Sequence, residues 1–299
     1  MSIDLRDWQF DLGGIAMGTG TDVLLEDIQG IGLPPLRTDA VEIPGEDGLF
    51  TGQDLYGARV LRLIGGIRVP GDPGAVLDRL AQLEVTSSAA WITQRPGALA
   101  VLRARRPGRA ARRLYGRVRL VDAVSVSRAV HGWLPFEIEF SATDPWWAAD
   151  DTSGVTLSLD VSTTREGVTA PLVAPLTTGV ANPDTRPGWL LHGGDRPSWP
   201  SVRIAGPVTN PRLWVVETGQ ALELQLSLGA GEFVQIETRP GTRTVLRNGT
   251  GNAAGQLTSS SRLDRLRVPP GRSELRWTAT DYTNTARLQM SWRDSYTSL

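Results

Sequence analysis

The chain has 299 residues, of which 40% are hydrophobic and 21% charged, and its formal net charge is −1. This is the composition of a folded globular protein, and the near-zero charge excludes a global attraction to nucleic acid or to membranes. Cysteine is absent, and all 31 basic residues are arginine. Disulfides, thiolate metal sites, Schiff-base lysines and phosphate-loop lysines are therefore excluded.

The beginning of the chain, MSIDLRDWQFDLGG, contains acidic residues and no apolar segment of signal-peptide length. An uninterrupted run of about 18 apolar residues, which a membrane-spanning helix requires, is also missing from the sequence. We therefore expect a soluble protein that folds in a reducing cytoplasm and is not exported by a standard signal.

The first half of the chain predicts a series of short strands. Segments rich in Val, Ile, Leu and Thr alternate with Gly and Pro, which is typical of β-proteins with many turns. In the sequence FEIEF at residues 136–140, the apolar side chains share one face and the glutamates share the other. The strands predicted for this half lie at residues 23–28, 59–69, 98–105, 112–124 and 134–140.

A glycine-rich stretch, GEDGLFTGQDLYGARV at residues 45–60, raises the question of a phosphate-binding loop. Such a loop places its glycines between a strand and the N-terminus of a helix. Here a strand pattern follows the glycines, and their spacing is not GxGxxG. The GEDG sequence lies between apolar residues on both sides, so it predicts a hairpin turn that uses the positive φ of glycine.

One helix is predicted after the strand at residues 59–69. Asp72 is a suitable N-cap, and Pro73 suits the first helical position. Val76, Leu77, Leu80 and Leu83 then recur at helical spacing. We expect this apolar stripe to pack against the sheet.

The composition changes after the sequence DPWWAADD at residues 144–151, which predicts a domain boundary there. Residues 162–200 are rich in Thr, Pro and Gly, and they predict long loops with irregular strands. Strand patterns return at residues 202–204, 213–216, 222–228, 233–237, 244–246, 275–278 and 286–292. Short strands separated by Gly, Pro and Asn predict an antiparallel β-sandwich.

The order of these features resembles phage distal tail proteins. A GEDG-type turn, the sequence TGQDLYGAR, a strand and a helix begun by Asp-Pro are similar to the N-terminal domain of that family. The resemblance continues through the sequence FSATDP at residues 140–145. GGDRPSWP at residues 193–200 and SWRDSY at residues 291–296 are similar to the C-terminal domain of the family. His192 departs from the pattern, because asparagine is expected before the Gly-Gly-Asp turn.

The resemblance implies a mainly β fold with two domains. Residues 1–150 would form a ring-forming, split-barrel-like β domain with one helix, and residues 151–299 a galectin-like antiparallel β-sandwich. Some relatives contain inserted carbohydrate-binding modules, for which this chain has no room.

The resemblance also implies a structural virion protein of a siphophage, without enzymatic activity and without a cofactor. Its copies would form a hexameric ring that connects the tail tube to the tail tip or baseplate. The implied partners are other copies of the chain, the tail tube protein, the tape measure protein and the tail-tip hub protein. Membranes are not implied, and nucleic acid is implied only as the passing genome. The protein would be located in the virion tail, after assembly in the cytoplasm of the bacterial host.

The clearest candidate for an interface is a run of eight arginines within residues 102–119. The run has three interpretations: contact with a neighbouring subunit or tail partner, a solvated hairpin, or contact with nucleic acid. We also expect the adjacent tryptophans at the domain boundary to lie between domains or subunits. The predicted interface residues are Arg105, Arg106, Arg109, Arg112, Arg113, Trp146 and Trp147.

Two other classes of function stay open. Trp189, Trp199 and Trp214 offer flat surfaces on which a sugar stacks, so a carbohydrate-binding tail protein is the main alternative. An enzyme is disfavoured, because a Ser-His-Asp triad would have to use His131 or His192, and no pair of carboxylates stands out.

Overall fold

The computed structural model describes residues 4–159, 188–281, 283 and 285–299. The chain divides into two compact units. Unit 1 contains the chain up to Asp150 together with Tyr296–Leu299, and unit 2 contains Asp151–Ser295. Antiparallel strands dominate both units, which confirms the predicted mainly β fold.

The main sheet of unit 1 is formed by most of its strands. In chain order, the strands of this unit are β1 (Gln9–Leu12), β2 (Ile15–Gly18), β3 (Val23–Gln29), β4 (Leu36–Arg37), β5 (Val41–Glu42), β6 (Leu49–Phe50), β7 (Leu55–Tyr56), β8 (Arg59–Arg68), β9 (Ala100–Arg105), β10 (Arg112–Ala123), β11 (Trp133–Ala142) and β12 (Trp147–Ala149). The order in the sheet is β2-β1-β9-β10-β11-β8-β3, with β12 also paired to β10. Since β2 and β3 form no ladder with each other, the described strands make an open sheet and not a closed barrel.

Alternation along β11 explains how this sheet builds its core. Phe136, Ile138 and Phe140 are buried, whereas Glu137 and Glu139 on the other face approach Arg62 of β8. The sequence FEIEF therefore forms the two-faced strand that its alternation predicts.

The predicted helix is α1 (Pro73–Ser87), and the side chain of Asp72 caps it by accepting a hydrogen bond from the Ala75 N–H. Val76, Leu80 and Leu83 are buried, but Leu77 is 44% exposed. The prediction was wrong for Leu77, because a residue directly after Val76 lies about 100° further round the helix.

A one-turn helix, α2 (Ala90–Thr93), follows α1 and was not predicted. It buries Ile92 in the core of unit 1, and four residues are too few to show a helical period.

The described strands of unit 2 form two antiparallel sheets. Their strands are β13 (Ser153–Ser158), β14 (Trp189–His192), β15 (Ser201–Ala205), β16 (Val208–Val215), β17 (Ala221–Glu223), β18 (Ser227–Leu228), β19 (Phe233–Glu237), β20 (Thr244–Arg247), β21 (Gly251–Asn252), β22 (Gly271–Thr280) and β23 (Arg287–Trp292). One sheet has the order β13-β23-β15-β19-β20-β21, and the other has the order β14-β22-β16-β17 with β18 beside β16. The inward-facing side chains of both sheets share one hydrophobic core, as expected for a sandwich.

The single strand predicted at residues 222–228 is in fact the two strands β17 and β18, which pair with different parts of β16. Of the passage predicted as loops and irregular strands at residues 162–200, residues 162–187 lie outside the described part of the chain.

The last residues of the chain belong to unit 1, although the sequence analysis placed them in the second domain. They begin with the second residue of a final strand, β24 (Ser295–Tyr296), and Leu299 is buried in the core of unit 1. Four residues without a repeating pattern give no sign in the sequence of which core they join.

Candidate assembly interface

The arginine run lies on β9 and β10, which are neighbours in the sheet, so that Arg103 is opposite Arg113. Both side chains bind Asp150. The Arg103 Nη2 lies 2.6 Å from one carboxylate oxygen, and Arg113 Nη2 forms a very short contact with the other. Arg103 also pairs with Asp11 at 3.1 Å. The two strands are therefore joined by a largely buried ion-pair network inside unit 1.

This network sets the ionisation of Asp150. Burial alone would raise the pKa of Asp150, but the hydrogen bonds from Arg103 and Arg113 outweigh burial and hold the pKa below its usual value. Asp150 is consequently a carboxylate whose charge the fold requires.

Two more arginines of the run are also engaged within unit 1. The guanidinium of Arg112 stacks 3.5 Å above the centre of the Tyr296 ring and donates to the carbonyl of Ser298. Arg105 donates to the carbonyl of Leu5 and pairs with Asp7 at 3.3 Å. Arg112 and Arg113 were predicted as interface residues, but the structure places their charged groups against internal partners.

The remaining predicted arginines lie at the turn between the strands. Arg109 is exposed at the mouth of a cavity of about 290 Å³, and its Nη1 is 3.5 Å from the Ser298 hydroxyl. Arg106 is half-buried, and its Nε has no hydrogen-bond partner among the described residues. Arg109 is thus the predicted arginine best placed to contact another molecule.

The two tryptophans at the boundary have different positions. Trp147 was predicted to lie between domains or subunits. Its side chain is instead fully buried in the core of unit 1. Trp146 is half-buried and meets the ring of Tyr56 edge-on, with 4.9 Å between the centroids. Trp147 is the first residue of β12, and its side chain faces the core because successive residues of a strand point to opposite faces of the sheet.

Arg59 is a buried residue that the sequence analysis did not single out. It is 1% exposed and donates hydrogen bonds to five backbone carbonyls. These carbonyls belong to Gly30, Ile31, Gly32, Pro145 and Thr297. Burial lowers the pKa of Arg59, and carbonyl dipoles take the place of a carboxylate partner.

Three of the carbonyls held by Arg59, those of Gly30, Ile31 and Gly32, lie where the chain leaves the sheet after β3, and Arg59 itself lies where the chain returns in β8. Between these points residues 33–58, here called the arm, form two short antiparallel ladders, β4 with β7 and β5 with β6. The GEDG sequence connects β5 to β6, which confirms the predicted hairpin turn. Arg59 therefore fixes the base of the arm.

The arm is almost entirely exposed to solvent. None of its side chains joins the hydrophobic core of unit 1, and of residues 35–55 only Ile43 is even half-buried. Its exposed large apolar side chains are those of Leu33, Leu36, Val41, Leu49, Phe50 and Leu55. The arm also contains five acidic residues and one arginine, a net charge of −4. The sequence analysis recognised its turn but not this unpartnered apolar surface.

The tryptophans considered for sugar binding in unit 2 are half-buried, and arginines lie over their rings. Arg272 lies 3.7 Å from the ring centre of Trp189, and Arg267 lies 4.2 Å from that of Trp199. Trp214 has Arg212 at 5.7 Å. Because a stacked sugar needs an open ring face, this arrangement does not favour carbohydrate binding.

His192 and Ser198 do come together, as a catalytic triad would require, and Asp294 is nearby. The Nδ1 of His192 accepts a hydrogen bond from the Gly194 N–H at 2.9 Å, so the proton of the neutral ring is on Nε2. That nitrogen donates to Ser198 Oγ, and Ser198 donates its own proton to the carbonyl of Arg293 at 2.6 Å. A catalytic base would have to accept from the serine, and here the direction is reversed.

Other kinds of site find little support in the described part of the chain. No group of three or more histidine, aspartate or glutamate side chains there is arranged to hold a metal ion. Over the same residues, no helix has the length and apolar character needed to cross a membrane.

A known protein family matches the second half of the chain. Residues 193–296 match the family model described as "Siphovirus-type tail component, C-terminal domain". Apart from Tyr296, the matched residues all lie in unit 2. A comparison of the whole sequence with curated proteins finds no match.

Solved structures share the fold over nearly the whole chain. SPP1 Dit (gp 19.1), described as a paradigm of the hub adsorption apparatus in phages that infect Gram-positive bacteria, matches with a TM-score of 0.57 at 12% identity, over 96% of this chain and 98% of that chain. Chains of the phage P2 baseplate, solved in its activated conformation with Ca and with Sr, match with TM-scores of 0.56 and 0.57 at 11% identity, over 95% of this chain and 97% of theirs. The predicted resemblance to siphophage distal tail proteins is confirmed.

Proposed function

We propose, from the match of residues 193–296 to the model of the siphovirus-type tail component C-terminal domain, that the protein is a distal tail protein whose copies form a ring between the tail tube and the tail tip. The ring would contain six copies and would contact the tail tube, tape measure and tail-tip hub proteins. Its role would be structural, without a cofactor. The similar fold of SPP1 Dit, described as a hub of an adsorption apparatus, supports this role.

The observation that carries the proposal is the unpartnered arm. Two-stranded hairpins are marginally stable by themselves in water. Burying the six exposed apolar side chains of the arm is worth on the order of 10 kcal/mol, before the entropic cost of association is subtracted. We infer that the arm lies on a neighbouring copy, where these side chains leave water.

The charge distribution also favours contact between copies. The arm has a net charge of −4, whereas Arg109, Arg119 and Arg128 are exposed elsewhere on unit 1. Opposite charges on two different surfaces of one molecule favour a head-to-tail contact, in which each copy uses both surfaces. Such a contact closes into a ring when the rotation from one copy to the next is a whole fraction of a full turn.

Cross-linking from the arm tests the proposal. Because the natural chain lacks cysteine, Phe50→Cys introduces a single thiol that can be labelled with a benzophenone maleimide. We expect illumination to produce a ladder of covalent multimers. The matched control is Val85→Cys, at an exposed apolar position of α1.

The proposal predicts a ladder from position 50 that ends at the size of the ring, and a weaker ladder or none from position 85. Labelled protein that stays monomeric from position 50, alone and after co-expression with the tail partners, would contradict it.

A further inference from the structure

His192 lies at a point where two segments of unit 2 meet. One is the turn at residues 193–198, and the other is the segment at residues 293–295. The N–H groups of Asp195 and Arg196 donate to the carbonyl of Ser295, at 3.0 and 3.1 Å. The imidazole of His192 is fully buried between the segments and contacts both.

The bonds of His192 require a neutral ring. Nδ1 accepts from the Gly194 N–H, and Nε2 donates to Ser198, which in turn donates to the carbonyl of Arg293. The Ser295 N–H also points at Nε2, at 3.4 Å. A protonated imidazole has no acceptor nitrogen. Protonation would therefore place two N–H donors, of Gly194 and of Nδ1, against each other at 2.9 Å.

We propose that His192 is a pH-operated latch, which holds the turn at residues 193–198 on the segment at residues 293–295 when neutral and releases it when protonated. The inference does not depend on the proposed ring. It concerns the segment through which the chain passes from unit 2 to unit 1, since the division between the units falls after Ser295.

The carboxylates near the imidazole do not prevent protonation of His192 from releasing the turn at residues 193–198. Asp294 is the nearest carboxylate, with Oδ1 3.8 Å from Nδ1. Its two oxygens already accept from the Trp292 Nε1–H and the Gly193 N–H. Asp195 also acts on the ring, at longer range. Burial lowers the pKa of His192, and it outweighs the opposing influence of the two carboxylates.

The direction of the pH dependence follows from this. A histidine whose pKa is lower in the closed form binds protons more weakly there than in the open form. The latch is therefore fully closed above the ordinary histidine pKa of about 6.5. Below that pH, the fraction of open latch rises by about tenfold for each pH unit until the lowered pKa is reached.

Hydrogen exchange measured by mass spectrometry on the full chain, between about pH 7.5 and pH 5, tests the latch. Exchange rates are compared as protection factors, so that the intrinsic pH dependence of exchange cancels. We expect protection to fall below about pH 6.5 in peptides that cover residues 193–198 and 293–295, by up to about tenfold per pH unit, while strands β15 and β19 keep theirs.

Two variants make the test specific. His192→Asn keeps an acceptor at the reach of Nδ1 but does not titrate, so it should remove the pH dependence. His131→Asn, at the other histidine of the chain, which is exposed, should leave it unchanged. If His192→Asn fails to fold, the proposal is tested by the natural chain and by His131→Asn. Both should lose protection at acid pH in the peptides that cover residues 193–198 and 293–295. Protection that does not fall with pH at these peptides, that falls equally throughout unit 2, or that depends on His131 would overturn the proposal.

Discussion

At the scale of residues, the arginines of β9 and β10 show how burial decides what a charged side chain does. A run of eight arginines predicts a positive surface, yet six of the eight form hydrogen bonds inside unit 1: Arg103, Arg105, Arg109, Arg112, Arg113 and Arg117. The acidic partners come from distant positions such as Asp11 and Asp150. The sequence therefore predicts the charge of the run but not its pairing, because pairing depends on the fold.

The contribution of this pairing to stability can be measured by replacing Asp150. Asp150→Asn leaves two arginines without their carboxylate, and removing one partner of a buried ion pair costs about 3–5 kcal/mol. We expect the free energy of unfolding of the full chain to fall by about that amount at neutral pH. Asp78→Asn, at an exposed position of α1, should have almost no effect in the same urea titration.

The pH dependence follows from the lowered pKa of Asp150. A carboxyl group with a lowered pKa in the folded state contributes stability above its ordinary value of about 3.9. That contribution is lost as the pH falls towards the folded pKa. The stability difference between the natural chain and Asp150→Asn should accordingly shrink between about pH 5 and pH 2. A difference that is constant over this range would mean that the charge of Asp150 is not what stabilises the fold.

At the scale of elements, regular strands and the capped helix were predictable, because they follow from local pattern. The alternation in β11 and the Asp-Pro start of α1 are examples. The division of one predicted strand into β17 and β18 was not predictable, since it depends on where β16 offers partners. The exposure of the arm was also missed, because apolar residues in a strand pattern predict burial by default.

Arg59 fixes the base of the arm, so replacing Arg59 should lower the free energy of unfolding. Arg59→Met leaves five carbonyls without their donor, and each buried carbonyl without a partner costs about 1–3 kcal/mol. We expect a loss of about 3 kcal/mol or more in the free energy of unfolding, measured by urea titration.

Arg62→Met is the matched control, because Arg62 lies on the same strand with an exposed side chain that pairs with Glu139. The free energy of unfolding of Arg62→Met should be lower than that of the natural chain by about 1 kcal/mol or less. Equal effects of the two variants would show that the hydrogen bonds of Arg59 do not hold the base of the arm.

At the scale of the whole molecule, the return of the last residues to unit 1 changes how the chain should be divided. The predicted boundary follows a change in composition, and the structure separates Asp150 from Asp151. A first domain that ends at residue 150 would lack the buried Leu299 and the carbonyls of Thr297 and Ser298, to which Arg59 and Arg112 donate.

We predict that residues 151–295 fold alone as a cooperative, monomeric sandwich, since about 145 residues suffice to bury a core. Residues 1–150 should be less stable than the same segment joined by a flexible linker to residues 295–299. Thermal melts of the three proteins, with light scattering, check this. The division is contradicted if the sandwich fragment is unfolded, or if adding residues 295–299 to the first unit leaves its melting temperature unchanged.

The central claim is that copies of the chain assemble into a closed ring, and negative-stain electron microscopy of the purified full chain tests it most directly. The account predicts class averages of ring-shaped particles with one rotational order, which we expect to be sixfold, either from the protein alone or after co-expression with the tail partners. Particles of monomer size in both preparations, or open filaments of variable length, would contradict it.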